Sequence, residues 1–213
     1  MSGSYQSSEK SLGALNMQSL LIATHNQGKV AEFDKLLDGL GVQLKSATDF
    51  DLPEPEETEN TFIGNALLKA RAACMATGLP SLADDSGICI DALDGAPGIY
   101  SARWAETPQG RDFTKAMERV QAELNGIDGS QTAYFIAVLA LIYPDGREKI
   151  FEGHALGRLS WPPRGDKGFG YDPIFIPKGH NITFAEMDPA DKQAMSHRAK
   201  AVQKFKEYLT ENV

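Results

Sequence analysis

The sequence predicts an α/β protein, a β-sheet with helices packed against it. Three observations carry that expectation. Short apolar runs such as residues 20–22 alternate with segments whose apolar side chains recur every three to four positions. Stop signals such as Gly78 and Pro80 separate these segments. The longest apolar run, residues 132–143, is rich in β-formers and meets Pro144-Asp145-Gly146 before a second run at 147–159, which predicts a hairpin at the centre of a sheet.

The chain has 213 residues and a net charge of −8. That length can bury a sizeable core as one domain or one bilobed unit. We expect residues 1–17, polar and serine-rich, to be a flexible N-terminal extension, and residues 18–213 to be a single domain. The acidic balance argues against a polynucleotide partner, whose footprint is a basic patch, but allows a small anion held locally. Cys74 and Cys89 sit in apolar contexts without ligand-like spacing, as buried thiols in a reducing compartment do. No run approaches the ~20 apolar residues that cross a bilayer, and the opening lacks the apolar core of a secretory signal. A soluble, cytoplasmic protein with no membrane partner is expected.

Residues 19–24 predict a buried first strand. After His25-Asn26-Gln27-Gly28-Lys29, the spacing of Val30, Phe33, Leu36, Leu37 and Leu40 predicts an amphipathic helix ending near Gly41. A strand feeding a glycine-containing turn and a helix leaves free backbone N–H groups where a phosphate can sit. Thr24 and Asn26 add neutral donors and Lys29 a point charge. The glycine spacing of a Walker loop is missing, and a structural turn with a solvated lysine is the competing reading. Residues 42–47 predict a second strand, followed by an acidic loop bearing Asp49, Asp51, Glu54, Glu56, Glu57 and Glu59 and stiffened by Pro53 and Pro55. Either this is a solvated charge run or one glutamate is a metal ligand. From Thr61, the residues Phe62, Ala66, Ala70 and Ala73 fall on one helical face.

The chemistry concentrates in residues 81–91 and continues through residues 95–104. Leu82 and Ala83 deliver Asp84 and Asp85 into Ser86-Gly87, which predicts a strand ending in an acidic loop. Adjacent side chains on extended backbone point to opposite faces, so the two carboxylates should do different work. Mg²⁺ takes oxygen ligands and keeps several waters, so one or two carboxylates beside a polyphosphate suffice to hold it. Such a carboxylate can also orient or deprotonate a water. Asp, Ser and Gly equally favour a plain polar turn.

Residues 111–124 predict a helix, with Phe113, Ala116, Met117, Val120 and Leu124 on one side. In the loop 161–173, Phe169 and Tyr171 stand among glycines, where rings can stack on a base and Asp172 can bond its edge. The alternative is an aromatic turn filling a gap between lobes. Asp188 and Pro189 open a closing helix as cap and first residue. Its buried stripe is Met195, Ala199, Val202, Phe205 and Leu209, with Lys192, Ser196, His197 and Arg198 outside or beside it. Positive charge near a helix start opposes the dipole, so these residues either serve an anionic ligand or form a solvated face.

Six segments, residues 24–29, 61–66, 83–87, 95–103, 168–173 and 196–198, resemble the inosine/xanthosine triphosphate pyrophosphatase family in order and spacing, and the resemblance runs from Leu20 to the C-terminus. It implies a long mixed β-sheet flanked by helices, with two lobes and a nucleotide cleft between them. It also implies a Mg²⁺-dependent homodimer that hydrolyses ITP, dITP and XTP to the monophosphate and pyrophosphate. By position, Thr24, His25, Asn26, Gln27, Gly28, Lys29 and Ser86 hold phosphates, and Asp85 is the catalytic carboxylate and a metal ligand. Phe169, Gly170, Tyr171, Asp172, Lys192, His197 and Arg198 line the nucleotide, and Glu56 or Glu57 is the second metal carboxylate. His25 stands where several members have glycine. Arg198 carries donors only, which suits a 6-keto acceptor and not a 6-amino donor. A nucleotide-binding sensor without catalysis and a related nucleotide phosphatase are the rival readings.

Overall fold

The computed structural model describes residues 18–39, 41–125 and 131–211, so the extension expected over residues 1–17 lies outside the described residues. β1 (Ser19–Ile22) leads through α1 (Gln27–Leu36) and β2 (Gln43–Ser46) to α2 (Phe62–Thr77) and β3 (Ser81–Ile90). β4 (Glu106–Thr107) and β5 (Gly110–Arg111) form a small ribbon before α3 (Phe113–Glu123). The hairpin β6 (Thr132–Ile142) and β7 (Glu148–Leu159), then β8 (Phe175–Pro177), α4 (Pro189–Met195) and α5 (His197–Glu211), complete the order.

The main sheet is mixed and runs β2-β1-β3-β6-β7-β8. β1 lies parallel to β2 and β3, and every later pair is antiparallel. Side-chain oxygens satisfy orphan amides at the helix starts: Asn26 accepts from the Lys29 amide, Thr61 from Gly64, Asp112 from Thr114 and Asp188 from Ala190. Each such cap contributes about 1 kcal/mol.

Alternation along the strands builds a core on each face. Leu20 and Ile22 join Phe33, Leu37, Phe205 and Leu209 beneath α1 and α5. Leu21 and Ala23 face Ala66, Ala70, Ala73 and Cys74 of α2. A separate cluster gathers Val120 of α3 with Phe175, Phe184, Ile88, Ile90 and Phe135. β3 and β6 therefore serve two lobes, with Leu82 and Leu139 in the α1/α5 core and Ile88 and Phe135 in the α3 core.

Three expectations change. Residues 84–87 are not a turn: β3 pairs with β6 without interruption from Ser81↔Ile142 to Ile90↔Ala133. The ribbon takes Arg111, and α3 starts at Phe113 behind its Asp112 cap. The closing helix is two helices, because Ser196 adopts extended backbone (φ −65°, ψ 156°) and its hydroxyl accepts from the Ala199 amide. That break turns Lys192, Ser196, His197 and Arg198 inward, and all four are buried where the single-helix reading left them outside the stripe.

The second helix of that pair, α5, lies directly on β7. A Cβ on Gly153 would run into the His197 carbonyl oxygen and the Ala201 amide. Gly153→Ala should cost about 2–3 kcal/mol by overpacking. Thermal unfolding should show that as a fall in Tm of roughly 5–10 °C.

Candidate active site

The polar run Asp84-Asp85-Ser86 occupies the part of β3 between its two apolar ends, at the seam of the lobes. Asp84 and Asp85 are nevertheless almost fully buried. A buried charge persists only when paired and hydrogen-bonded. Gly87 follows because the next segment docks there: a Cβ would strike the Gly98 carbonyl oxygen and the Ser101 hydroxyl. Ser101 accepts from the Ile88 amide at 3.0 Å and donates to the Gly98 carbonyl at 2.6 Å. What reads as a turn glycine is thus a close-approach glycine.

On one face of β3, Asp84 pairs with Lys29 from α1 and with Arg198 from α5, the latter at 2.9 Å through Nε. Burial alone would raise the Asp84 pKa, but the two cations outweigh it and hold the carboxyl well below its usual range. Arg198 also donates to Ser86 at 3.0 Å and to Glu32 of α1. Burial pushes the Lys29 ammonium down, and Asp84 partly restores it. The strand-turn-helix segment is anchored nearby. Thr24 Oγ1 accepts from the Asn26 amide at 3.2 Å, Asn26 caps α1, and Gln27 opens that helix. His25 reaches into the acidic loop, donating from Nε2 to the Leu52 carbonyl at 2.7 Å.

On the opposite face, Asp85 accepts from Lys69 of α2 at 2.8 Å, and the same ammonium donates to Glu57 at 2.6 Å. Glu57 is half-buried and Glu56 exposed, so it is Glu57 that shares a cation with Asp85. Burial works against the charged Lys69, yet its two carboxylates raise its pKa above the ordinary value. Burial also raises Asp85, to about 6, against the pull of Lys69 and Lys29. Asp85 Oδ2 is buried and has no hydrogen-bond partner among the described residues. No group of three or more His, Cys, Asp or Glu side chains gathers in a metal-binding cluster among the described residues. An orphaned carboxylate oxygen beside a second carboxylate still fits a hard divalent cation that completes its shell with water and phosphate oxygens.

The other wall comes from the α3 lobe. Phe169 is 40% exposed, whereas Tyr171 packs inward, donates to the Ser101 carbonyl at 2.8 Å and meets Phe113 edge to face. Asp172 is buried, pairs with Lys192 and accepts from the Phe169 amide at 2.8 Å. Lys192 Nζ lies 5.1 Å from the Phe169 ring centroid. A Cβ on Gly28 would sit 3.7 Å from the Phe169 ring, so the α1 turn and this loop face each other closely. Gly170 turns the loop between the two aromatic rings with φ +69°.

One cleft of about 710 Å³ collects Thr24–Asn26, Lys29, Glu56, Glu57, Asp85, Ser86, Phe169–Asp172, Lys192, His197 and Arg198. Lys69, Glu32 and Arg103 also line it and were not foreseen as site residues. Lys69 left a readable signal: it occupies the stripe Phe62, Ala66, Ala70, Ala73, a core position for a charged side chain. Arg103 closes the segment 95–103 already singled out, although no role followed for it there, and Glu32 left no signal in local spacing.

His197 is buried, stacks on Phe135 with ring centroids 4.9 Å apart and 13° between planes, and has no partner for Nδ1 among the described residues. Burial, reinforced by Arg198, Lys192 and Lys29 against Asp84, holds it neutral with a pKa well below 6.5. The unfolded chain binds this proton more readily, so the stability His197 contributes is present above about pH 6.5 and is lost as the pH falls. Tm should therefore fall between pH 7 and pH 5 by less in His197→Gln than in the parent, as measured by calorimetry at both values.

The sequence relationships agree with this geometry. The family model described as Ham1 family matches residues 20–208. A dITP/XTP pyrophosphatase of Ruegeria pomeroyi is 56% identical over 194 residues, covering 90% of this chain and 95% of that protein. A dITP/XTP pyrophosphatase of Rhodospirillum centenum is 60% identical over 184 residues, covering 85% and 90%. The structure of a HAM1 protein from Coxiella burnetii matches with a TM-score of 0.85 at 40% identity, covering 92% of this chain and all of that one. The mixed sheet with its flanking helices, the collinear motifs and these matches lead to one conclusion: the chain belongs to the Ham1 family.

Proposed function

We propose that this chain is a cytoplasmic, homodimeric pyrophosphatase that hydrolyses ITP, dITP and XTP to the monophosphate and pyrophosphate. The observation that carries the reading is that one cleft is lined by Asp85, whose Oδ2 has no hydrogen-bond partner among the described residues, and also by Lys29 and Phe169. The activity printed for the Ruegeria and Rhodospirillum relatives supports it.

In this reading the first turn of α1 and Ser86 receive the phosphates, where backbone N–H groups and the Lys29 ammonium meet negative charge. Asp85 and Glu57 would hold Mg²⁺, which when bound supplies charge neutralisation on the phosphate oxygens. Asp85, whose carboxyl pKa burial raises above its ordinary value, orients the attacking water and accepts its proton. The anhydride between the first and second phosphates breaks, and Lys29 balances the charge that develops on the departing pyrophosphate. Phe169 stacks on the purine.

Base choice falls to Arg198. Its bonds to Asp84, Glu32 and Ser86 fix the guanidinium plane and, among the described residues, leave one Nη1 hydrogen uncommitted. That donor suits a 6-keto oxygen and clashes with a 6-amino group. A mismatch of this kind discriminates by orders of magnitude because it strands buried polar groups.

Incubation with a panel of triphosphates and Mg²⁺, with products identified by chromatography, tests the reading. Monophosphate and pyrophosphate from ITP, dITP and XTP are expected. Binding without products would indicate a sensor, and orthophosphate or pyrimidine preference a different phosphatase. Asp85→Asn should abolish turnover while ITP binding, measured by calorimetry, survives. Arg198→Lys keeps the charge beside Asp84 but loses the fork, so the ratio of ITP to ATP hydrolysis should fall at least ~10-fold. An equal loss on both substrates would assign Arg198 a structural role.

A further inference from the structure

The carboxylate pair draws its two members from unlike supports. Asp85 sits in the middle of β3, paired along its whole length with β6. Glu57 sits in the loop between the 3₁₀ turn Ala47–Phe50 and α2, outside any helix or strand. Three side chains hold the backbone of that loop. His25 bonds the Leu52 carbonyl at 2.7 Å, Asn65 accepts from the Glu59 amide at 3.1 Å, and Arg103 Nη2 donates to the carbonyl of Glu57 itself at 2.5 Å.

Arg103 differs from the other two in coming from the far side of the cleft. It opens the 3₁₀ turn Arg103–Ala105, whose Ala105 and Trp104 belong to the α3 core, while Glu57 leads into α2 on the other lobe. Its base is firm: Ser101, two residues earlier, is tied to the Ile88 amide, the Gly98 carbonyl and the Tyr171 hydroxyl. Its guanidinium lies 5.2 Å from the Tyr100 ring centroid, in range for a cation–π contact that limits its rotamers. The result is a continuous linkage from the Arg103 guanidinium to the Glu57 carbonyl, and from the Glu57 carboxylate through Lys69 to Asp85.

We propose that Arg103 is a positioning residue that bridges the cleft and fixes Glu57 against Asp85, and thereby sets the affinity for the divalent cation and leaves nucleotide affinity unchanged. The inference rests on the reading of Asp85 and Glu57 as the metal-binding pair. A planar guanidinium bound to one carbonyl fixes where the loop sits, and groups that orient a ligand commonly change metal affinity by 10- to 100-fold when lost.

The test uses the full chain, with Arg103→Ala and Arg103→Lys. Mn²⁺ is titrated into each enzyme without nucleotide and its binding followed by electron paramagnetic resonance. In parallel, the Mg²⁺ concentration for half-maximal ITP hydrolysis and KM for ITP at saturating Mg²⁺ are determined. Arg103→Ala should weaken Mn²⁺ binding and raise the Mg²⁺ requirement about 10-fold, with KM for ITP within about 2-fold of the parent. Arg103→Lys, which keeps one donor for the carbonyl, should recover part of both losses. A raised KM with an unchanged metal requirement would overturn the proposal, since Arg103 would then contact the nucleotide directly. Parent-like behaviour of Arg103→Ala in an active, Mn²⁺-binding enzyme would overturn this inference alone, whereas a parent protein that neither binds Mn²⁺ nor hydrolyses ITP would overturn the functional reading with it.

Discussion

The buried carboxylate of Asp84 is the contact on which the architecture converges. It receives Lys29 from the first helix and Arg198 from the last, so one side chain on a central strand joins the two ends of the domain. Removing either partner from a buried ion pair typically costs 3–5 kcal/mol, because the remaining charge has no water to turn to. The same pairing prevents Lys29 and Arg198 from drifting into solvent and gives the cleft a fixed pattern of positive charge. The stability of the fold and the charge pattern of the cleft therefore depend on the same group, while the neighbouring carboxylate keeps one oxygen without a partner among the described residues.

The division of labour between Asp84 and Asp85 follows from strand geometry. Successive side chains on β3 point to opposite faces, so one carboxylate meets the α1 and α5 cations and the other meets Lys69 of α2. Cations on one face hold Asp84 ionised far below neutrality, whereas burial lifts Asp85 toward it. Two identical residue types, one position apart, thus acquire opposite titration behaviour from their surroundings.

Much of this was legible in the sequence where the signal is local. The strand-turn-helix at residues 19–36, the helix that follows Thr61, the Asp188 cap, the β6–β7 hairpin and the opposed directions of Asp84 and Asp85 all follow from spacing and neighbouring residue types. The errors share a cause, which is that distant contacts overrode local cues. Gly87 reads as a turn residue, but it is small because the Gly98 carbonyl lies against it. The apolar stripe of the last segment runs on through Ser196, so the break between α4 and α5 is hidden, and with it the burial of Lys192, His197 and Arg198. Arg103 to Glu57 and Arg198 to Glu32 join residues 46 and 166 positions apart, beyond what any periodicity can indicate. Lys69 lies between these cases, since a charge in an alanine stripe can be seen but its partners cannot.

The unbroken ladder of β3 on β6 has a mechanical implication. Both lobes are built on the same two strands, so swinging one lobe against the other would have to shear a run of paired backbone amides and carbonyls at the seam. A hinge that broke the ladder there would give up some of those backbone hydrogen bonds. The segments at 51–60 and 161–171 lie outside the helices and strands and are held by side-chain contacts in place of a ladder. The strand that carries Asp85 is thus held in place by backbone pairing that needs no ligand.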